Sequence, residues 1–340
     1  MHKSKNHSVS VSVVIPCFNE EDNIMPLYQA LSRELKPYGR CEILFVDDGS
    51  TDGSLALLKQ LAAEDPGVGY LRLSRNFGHQ QALKAGLDRA GGDCVITMDG
   101  DLQHDPKLIH TLIRYWREEG YQVVYTLRDD AGQKSFKSRS SALFYRLLNR
   151  LSGTRVEPGS ADFRLLDRVV VEELKRMNEH HLFLRGLIPW MGFRQKGIPV
   201  QVNKRAHGQS KYSLLRMIRL AFHGITSFSV APLRWSLVLG VLFALLAFGY
   251  GGYALWVYFF TGRALAGWTS VIASVLLLSG VQLIMMGIIG EYIGKIFEQV
   301  KQRPGYLVGE YCPAGARASK AASDRNEKEP APYCPGRRRA

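Results

Sequence analysis

Two short acidic segments sit at the ends of apolar stretches, and their residue types suit the handling of a phosphate-bearing ligand. In Met98-Asp99-Gly100-Asp101-Leu102-Gln103-His104, two carboxylates flank a residue with no side chain, which lets a ligand come close to the backbone. Hard oxygen donors such as Asp99 and Asp101 suit Mg2+ or Mn2+. Such a cation would bridge the protein to a diphosphate and neutralise charge developing on a leaving group. His104 offers nitrogen, which hard cations take less readily, and it is expected to be structural. Earlier in the chain, Val46-Asp47-Asp48-Gly49-Ser50-Thr51-Asp52 places carboxylates directly after another apolar run. A carboxylate there can accept hydrogen bonds from a base or a ribose, as α/β folds often arrange. Each segment alone also fits an ordinary turn or a solvated loop, because Asp, Gly and Ser favour turns for local reasons. Their recurrence in phase, each at a strand end, is what points to a site.

The elements that would position these residues read as alternating strands and helices. Apolar strand-like runs are Val9 to Pro16, Cys41 to Val46, Tyr70 to Leu73, Asp93 to Met98 and Gln122 to Leu127. Helical patterns fill the gaps: one begins at Asn19-Glu20-Glu21-Asp22, and others cover Ser54 to Ala63, His79 to Ala90 and Pro106 to Glu119. This order predicts a parallel, doubly wound sheet, which binds ligands at the carboxyl ends of its strands. Asn19, Asp47, Asp48, Asp99 and Asp101 all fall at such ends. Arg139 to Arg150 and Asp167 to Asn178 read as further helices around a loop from Gly153 to Asp162.

The remainder of the chain changes character. Ser213 to Ser229 mixes apolar residues with Arg216, Arg219 and His223, as an amphipathic helix at a membrane surface would. Trp235 to Phe260 and Gly267 to Gly290 are uncharged and each exceed the roughly 20 residues that span a bilayer. Trp235, Trp256 and Trp268 suit interface anchors. Arg234 and the stretch Lys295 to Arg303 flank the ends opposite the short connection, so the positive-inside bias places both termini in the cytosol. Met1 to Ser8 is short and polar, with no apolar signal segment. The expected organisation is a disordered start at 1–8 and a cytosolic domain at 9–212. Interfacial helices follow at 213–232, a two-helix anchor at 233–296, a membrane-proximal segment at 297–312 and a disordered basic tail at 313–340.

Lysine and arginine number 44 against 31 acidic residues, a net charge of +13 that favours anionic partners. No nucleic-acid motif accompanies the charge, so nucleotide phosphates and lipid headgroups are the expected partners and nucleic acid is not. The five cysteines show neither paired nor metal-finger spacing and read as reduced thiols.

The motifs VSVVIPCFNEEDNI, EILFVDDGSTDGS, LSRNFGHQQALKAGLDRAGGDCVITMDGDLQHDP, GSADFRLLDR, HGQSKYS and GEYIGKIFEQVKQRPGYLV occur in that order between about Val9 and Val308. In this the sequence resembles the family 2 glycosyltransferases. Within them it is similar to the polyprenyl-phosphate sugar transferases related to dolichol-phosphate mannose synthase and bactoprenol glucosyltransferase. The resemblance implies a GT-A type, Rossmann-like α/β domain followed by interfacial helices and two transmembrane helices. It also implies an inverting enzyme at the cytoplasmic face of the inner (plasma) membrane. That enzyme would move a sugar from a UDP- or GDP-linked donor, UDP-glucose foremost, to undecaprenyl or another polyprenyl phosphate, and would work as a homo-oligomer such as a tetramer.

Residue by residue, the resemblance implies that Pro16, Phe18 and Glu20 hold base and ribose, with Asp48 on the base. Phe18 stands where the family frequently has tyrosine. Asp99 and Asp101 would hold the donor phosphates and the metal, Gln103 would complete its coordination, and Arg128 would meet the phosphates. Asp162 matches the acceptor-side carboxylate often assigned as base. A phosphate monoester is already ionised near neutral pH, so an orienting role for Asp162 stands beside that of base. Arg205 and Lys211 form a cationic loop before the amphipathic segment and would clamp the acceptor phosphate and the pyrophosphate. A processive polysaccharide synthase would need a Gln-x-x-Arg-Trp motif, and Leu233-Arg234-Trp235 lacks its glutamine. A catalytically inert membrane adaptor would have no use for the intact acidic and basic set.

Overall fold

The computed structural model describes residues 9–128, 157–180, 182–201, 229–261 and 267–315. Its centre is β1 (Val11–Cys17), in which every residue is buried. A strand covered on both faces reads as a continuous apolar run, which is how Val11 to Pro16 appears in the sequence. Its side chains alternate between two cores. Val11, Val13, Ile15 and Cys17 face one cluster with α1 (Glu21–Leu35), α2 (Ser54–Glu64) and α4 (Leu108–Glu119). Val14 faces the other, with α3 (His79–Arg89), α5 (Arg168–Arg176) and α6 (Leu184–Trp190).

The flanking strands are β2 (Cys41–Asp47), β3 (Val68–Leu73), β4 (Cys94–Thr97), β5 (Val123–Arg128), β6 (Ser160–Asp167), β7 (Gln195–Val200) and β8 (Val308–Cys312). They form one sheet in the order β7-β5-β6-β4-β1-β2-β3-β8. The run β4-β1-β2-β3 is parallel, as expected. Beyond it the sheet is mixed: β6 is antiparallel to both β4 and β5, and β8 is antiparallel to β3. The expectation of a wholly parallel sheet is corrected here. Residues 160–162, read as the end of a loop, are the first residues of β6. Their polar start, Ser160-Ala161-Asp162, hides the strand. β7 hides similarly, since glycine and proline in Gln195-Lys196-Gly197-Ile198-Pro199-Val200 depress strand propensity and are tolerated at an edge. The predicted segment at Arg139 to Arg150, and all of that at Ser213 to Ser229 except Ser229, lie outside the described residues.

Packing divides the chain into two units. One is the α/β unit, which takes residues from both sides of the hairpin and resumes at Pro304. The other contains α7 (Ala231–Thr261) and α8 (Trp268–Val300), two helices long and apolar enough to cross a membrane. With 31 residues, α7 is about 46 Å long at 1.5 Å per residue. Leu237, Phe248, Phe259, Leu283 and Ile289 are exposed along the two helices, so the apolar surface is not a buried core.

At Gly86, α3 packs tightly on the sheet. A Cβ there would lie 2.2 Å from Val14 Cγ1 and 2.9 Å from Val46 Cγ2. Gly86→Ala must therefore push α3 off β1 and β2. We expect a loss of about 1–3 kcal/mol, read as a lower thermal midpoint of the purified protein, and an unchanged midpoint would contradict this packing.

Candidate active site

The central strands deliver their polar ends to one edge of the sheet. β1 and β2 run parallel with Cys17 opposite Asp47, so the segment after β1 and the acidic turn after β2 are neighbours. The two are tied by Asn19, whose backbone N–H donates to Ser50 Oγ at 3.0 Å and whose Oδ1 accepts from the Thr51 N–H at 2.9 Å. Pro16 is buried in β1, Phe18 is 44% exposed, and the Glu20 N–H donates to Ser54 Oγ at 3.1 Å. Pro16, Phe18, Glu20 and Asp48 are thus grouped on adjacent strand ends.

In the acidic turn each residue has a separate task. Asp47 Oδ1 accepts from the Ser50 N–H at 3.0 Å and closes the turn. Asp48 reaches across to the loop after β3, where Oδ1 accepts from the Phe77 N–H at 2.7 Å and Oδ2 from the Gly78 N–H at 2.9 Å. Burial raises the Asp48 pKa, partly offset by these two backbone donors. Gly49 adopts φ +74°, and a Cβ there would lie 2.7 Å from the Arg75 carbonyl carbon, so only glycine admits the loop so closely. Asp48 therefore has a structural duty beside any contact with a base: it grips the residues that open α3.

The next residue, His79, begins α3 and points its ring at the second acidic segment. Its Nε2 lies 3.3 Å from Asp99 Oδ1 and 3.3 Å from Asp162 Oδ2. Asp162 arrives because β6 is antiparallel to β4, so the start of β6 meets the end of β4. Thr97 Oγ1 donates to the Asp162 carbonyl at 2.5 Å and locks this juxtaposition. Ligating atoms of His79, Asp99 and Asp162 all lie within 4.8 Å of one another.

The two carboxylates differ in what surrounds them. Asp162 is 2% exposed and accepts from Arg185 Nε at 2.9 Å and Arg185 Nη2 at 2.8 Å, a two-pronged pair. Arg164 Nη2 and Gln80 Nε2 each approach it at 3.4 Å. Burial alone would raise its pKa, but the hydrogen bonds from His79 and Arg185 and the charges of Arg185 and Arg164 hold it well below the usual carboxylate range. Asp99 is pushed the other way: burial raises its pKa, and the charges of Asp162 and Asp101 add to that against His79 and Arg185. Its Oδ1 is buried and, among the described residues, has no aligned hydrogen-bond donor. Asp101 Oδ1 accepts from the Gln103 N–H at 3.2 Å, and Leu102 between them takes φ +56°, folding the segment into a tight turn. His104 is buried, with its ring 5.3 Å from that of Phe163.

Arg128 ends β5 and is exposed, and its N–H donates to the Gly159 carbonyl just before β6. Arg205 and Lys211 lie outside the described residues. His79, Gln80, Arg164 and Arg185 are site neighbours that the sequence reading did not single out. His79 and Gln80 had a signal, a polar pair opening the helix that follows β3 and its short loop. Arg185 had none, since only the packing of α6 brings it to Asp162.

Parallel strands with acidic turns at their carboxyl ends suit a nucleotide ligand, and the comparisons with known proteins give the class as glycosyltransferase. Residues 12–175 match the model of glycosyl transferase family 2, and residues 231–296 match the GtrB C-terminal hairpin. The uncharacterized glycosyltransferase YkcC of Bacillus subtilis is 41% identical over 88% of this chain and 93% of its own length. A similar match, 39% identical over 89% and 96%, is the uncharacterized glycosyltransferase sll0501 of Synechocystis. The SfII prophage-derived bactoprenol glucosyl transferase of Shigella flexneri is 39% identical over 88% and 97%. The chain belongs to glycosyltransferase family 2, with a match to the GtrB C-terminal hairpin at residues 231–296.

Asp162→Asn would leave Arg164 and Arg185 beside a neutral amide. Removing one partner of a buried charge pair is expected to cost about 3 kcal/mol, seen as a lower midpoint in chemical unfolding. The double variant Asp162→Asn/Arg185→Met should recover part of that loss. Equal midpoints for wild type and Asp162→Asn would show that the pair does not carry this energy.

Proposed function

We propose that this enzyme transfers a sugar, foremost glucose from UDP-glucose, to the phosphate of undecaprenol or a related polyprenol at the cytoplasmic membrane face. What carries the reading is the match to the bactoprenol glucosyl transferase, which extends over the α/β domain and the hairpin alike. A water-insoluble acceptor accounts for a catalytic domain built on a two-helix anchor, and the basic residues flanking the hairpin support cytosolic termini.

Within this reading, Pro16, Phe18, Glu20 and the Asp48 turn form the nucleotide end of the site. Asp99, Asp101 and Gln103 would hold Mg2+ or Mn2+, which supplies charge neutralisation to the departing nucleoside diphosphate. The buried, donor-poor Oδ1 of Asp99 fits that demand, and so does the oxygen character of the set. Asp162 fits it poorly, because Arg185 and Arg164 already answer its charge. A carboxylate so engaged is a weak base, and the acceptor phosphate brings its own negative oxygen. Asp162 therefore acts by fixing Arg185 and Arg164 rather than by removing a proton. Arg128, Arg205 and Lys211 meet phosphates in this scheme, as the family resemblance implies. The acceptor oxygen attacks the anomeric carbon, the bond to the diphosphate breaks, and configuration inverts.

The test is transfer of radiolabelled sugar by purified protein in detergent, with undecaprenyl phosphate, a panel of UDP- and GDP-sugars, and Mg2+ or Mn2+ present or absent. Label should enter the organic phase from one donor, only with metal, and Asp101→Ala should abolish it. Absence of lipid product from every donor would refute the proposed acceptor. The rate should fall as pH drops below about 6, where the dianion of a phosphate monoester takes up a proton. Residual activity of Asp162→Asn should keep that same acid limb, whereas loss of the limb would restore Asp162 as the base.

A further inference from the structure

After the hairpin the chain does not trail away; it returns to the catalytic sheet. β8 pairs with β3 in antiparallel register from Tyr70–Cys312 to Leu73–Val308. Without it, β3 would be an open edge beside the nucleotide end of the site. The returning segment is anchored along its length. Tyr306 Oη donates to Asp88 Oδ2 of α3 at 2.7 Å, and Arg89 stacks over the Tyr311 ring at 5.3 Å. Glu310 accepts from Tyr70 Oη at 2.5 Å and pairs with Lys59 Nζ at 2.8 Å. Farther on, the Gly315 N–H donates to the Pro66 carbonyl at 2.7 Å.

One contact reaches past the strand. The Leu307 carbonyl accepts from the Ser74 N–H at 2.9 Å, and Ser74 is the first residue of the loop between β3 and α3. That loop ends at Phe77 and Gly78, whose N–H groups are held by Asp48. Its two ends are thus gripped from opposite sides, by the returning segment at Ser74 and by the acidic turn at Gly78. The residue that follows is His79, which faces Asp99 and Asp162.

We propose that residues Pro304–Cys312 are a positioning strap for the loop Ser74–Gly78. In this role the segment after the membrane hairpin sets how well the nucleotide end of the active site is formed. The strap touches no reacting group and acts through the loop and α3. This rests on the nucleotide-sugar reading of the site. It goes beyond that reading in making donor binding depend on chain that lies after the hairpin.

The test uses the full-length protein with two substitutions remote from the acidic cluster. Tyr306→Phe removes the hydrogen bond to Asp88. Gly69→Ala puts a Cβ 2.8 Å from the Ala314 nitrogen and 2.9 Å from the Cys312 carbonyl oxygen, prising at the far end of the strap. Amide hydrogen exchange at Phe77 and Gly78 should speed up in both variants, and the affinity for UDP or GDP should fall about three- to tenfold, the worth of one ordinary hydrogen bond. The KM for the nucleotide sugar should rise by the same factor, while kcat and the KM for the lipid acceptor hold. Faster exchange confined to β3 and the strap, with nucleotide affinity unchanged, would reduce the segment to edge protection and overturn the proposal. Exchange and nucleotide affinity do not involve the acceptor, so a wrong acceptor assignment would leave these readouts intact. Should Gly69→Ala fail to fold, Tyr311→Leu, which removes the ring under Arg89, loosens the same segment from α3.

Discussion

A carboxylate as deeply buried as Asp162 has to be answered by donors and positive charge, because water no longer solvates it. The residues that answer it come from three different elements. Arg164 lies on β6 itself, Gln80 and His79 open α3, and Arg185 opens α6. Satisfying that one charge therefore brings α3 and α6 to the same edge of the sheet. It also requires β6 to run antiparallel to β4, since only that direction places the start of β6 against the end of β4.

Next to this saturated carboxylate stands one in the opposite condition. Asp99 is pushed toward protonation by burial and by its acidic neighbours, with the partly exposed His79 as its closest cation. Two carboxyl groups a few ångströms apart thus have contrary surroundings: Asp162 accepts paired hydrogen bonds from Arg185, whereas Asp99 Oδ1 has no aligned donor among the described residues. Such a pair separates the task of holding arginines from the task of receiving a cation. His79 stands between the two, 3.3 Å from each, while the paired arginine hydrogen bonds go to Asp162 alone.

The fold also connects the ends of the chain. The loop after β3 links the acidic turn after β2 to the segment after the hairpin: Phe77 and Gly78 at one end donate to Asp48, and Ser74 at the other donates to the Leu307 carbonyl. The two-helix unit is accordingly an insertion in the α/β domain rather than a terminal appendage.

Much of this was legible in the residues alone. Apolar runs ending in Asp-Asp-Gly and Asp-Gly-Asp announced buried parallel strands with polar ends, because a strand covered on both faces must be apolar throughout and its ligand-binding end must not. The two long uncharged segments announced helices for lipid, because nothing else covers so much apolar surface. Short-range physics determines these features, and a single sequence records it. Antiparallel β6, the edge strands β7 and β8, the grip of Asp48 on the loop after β3 and the meeting of Arg185 with Asp162 were decided by the tertiary structure. Each depends on a partner far away in the chain. Which distant amide or guanidinium satisfies a buried carboxylate is settled only when the sheet order and the helix packing bring the two together.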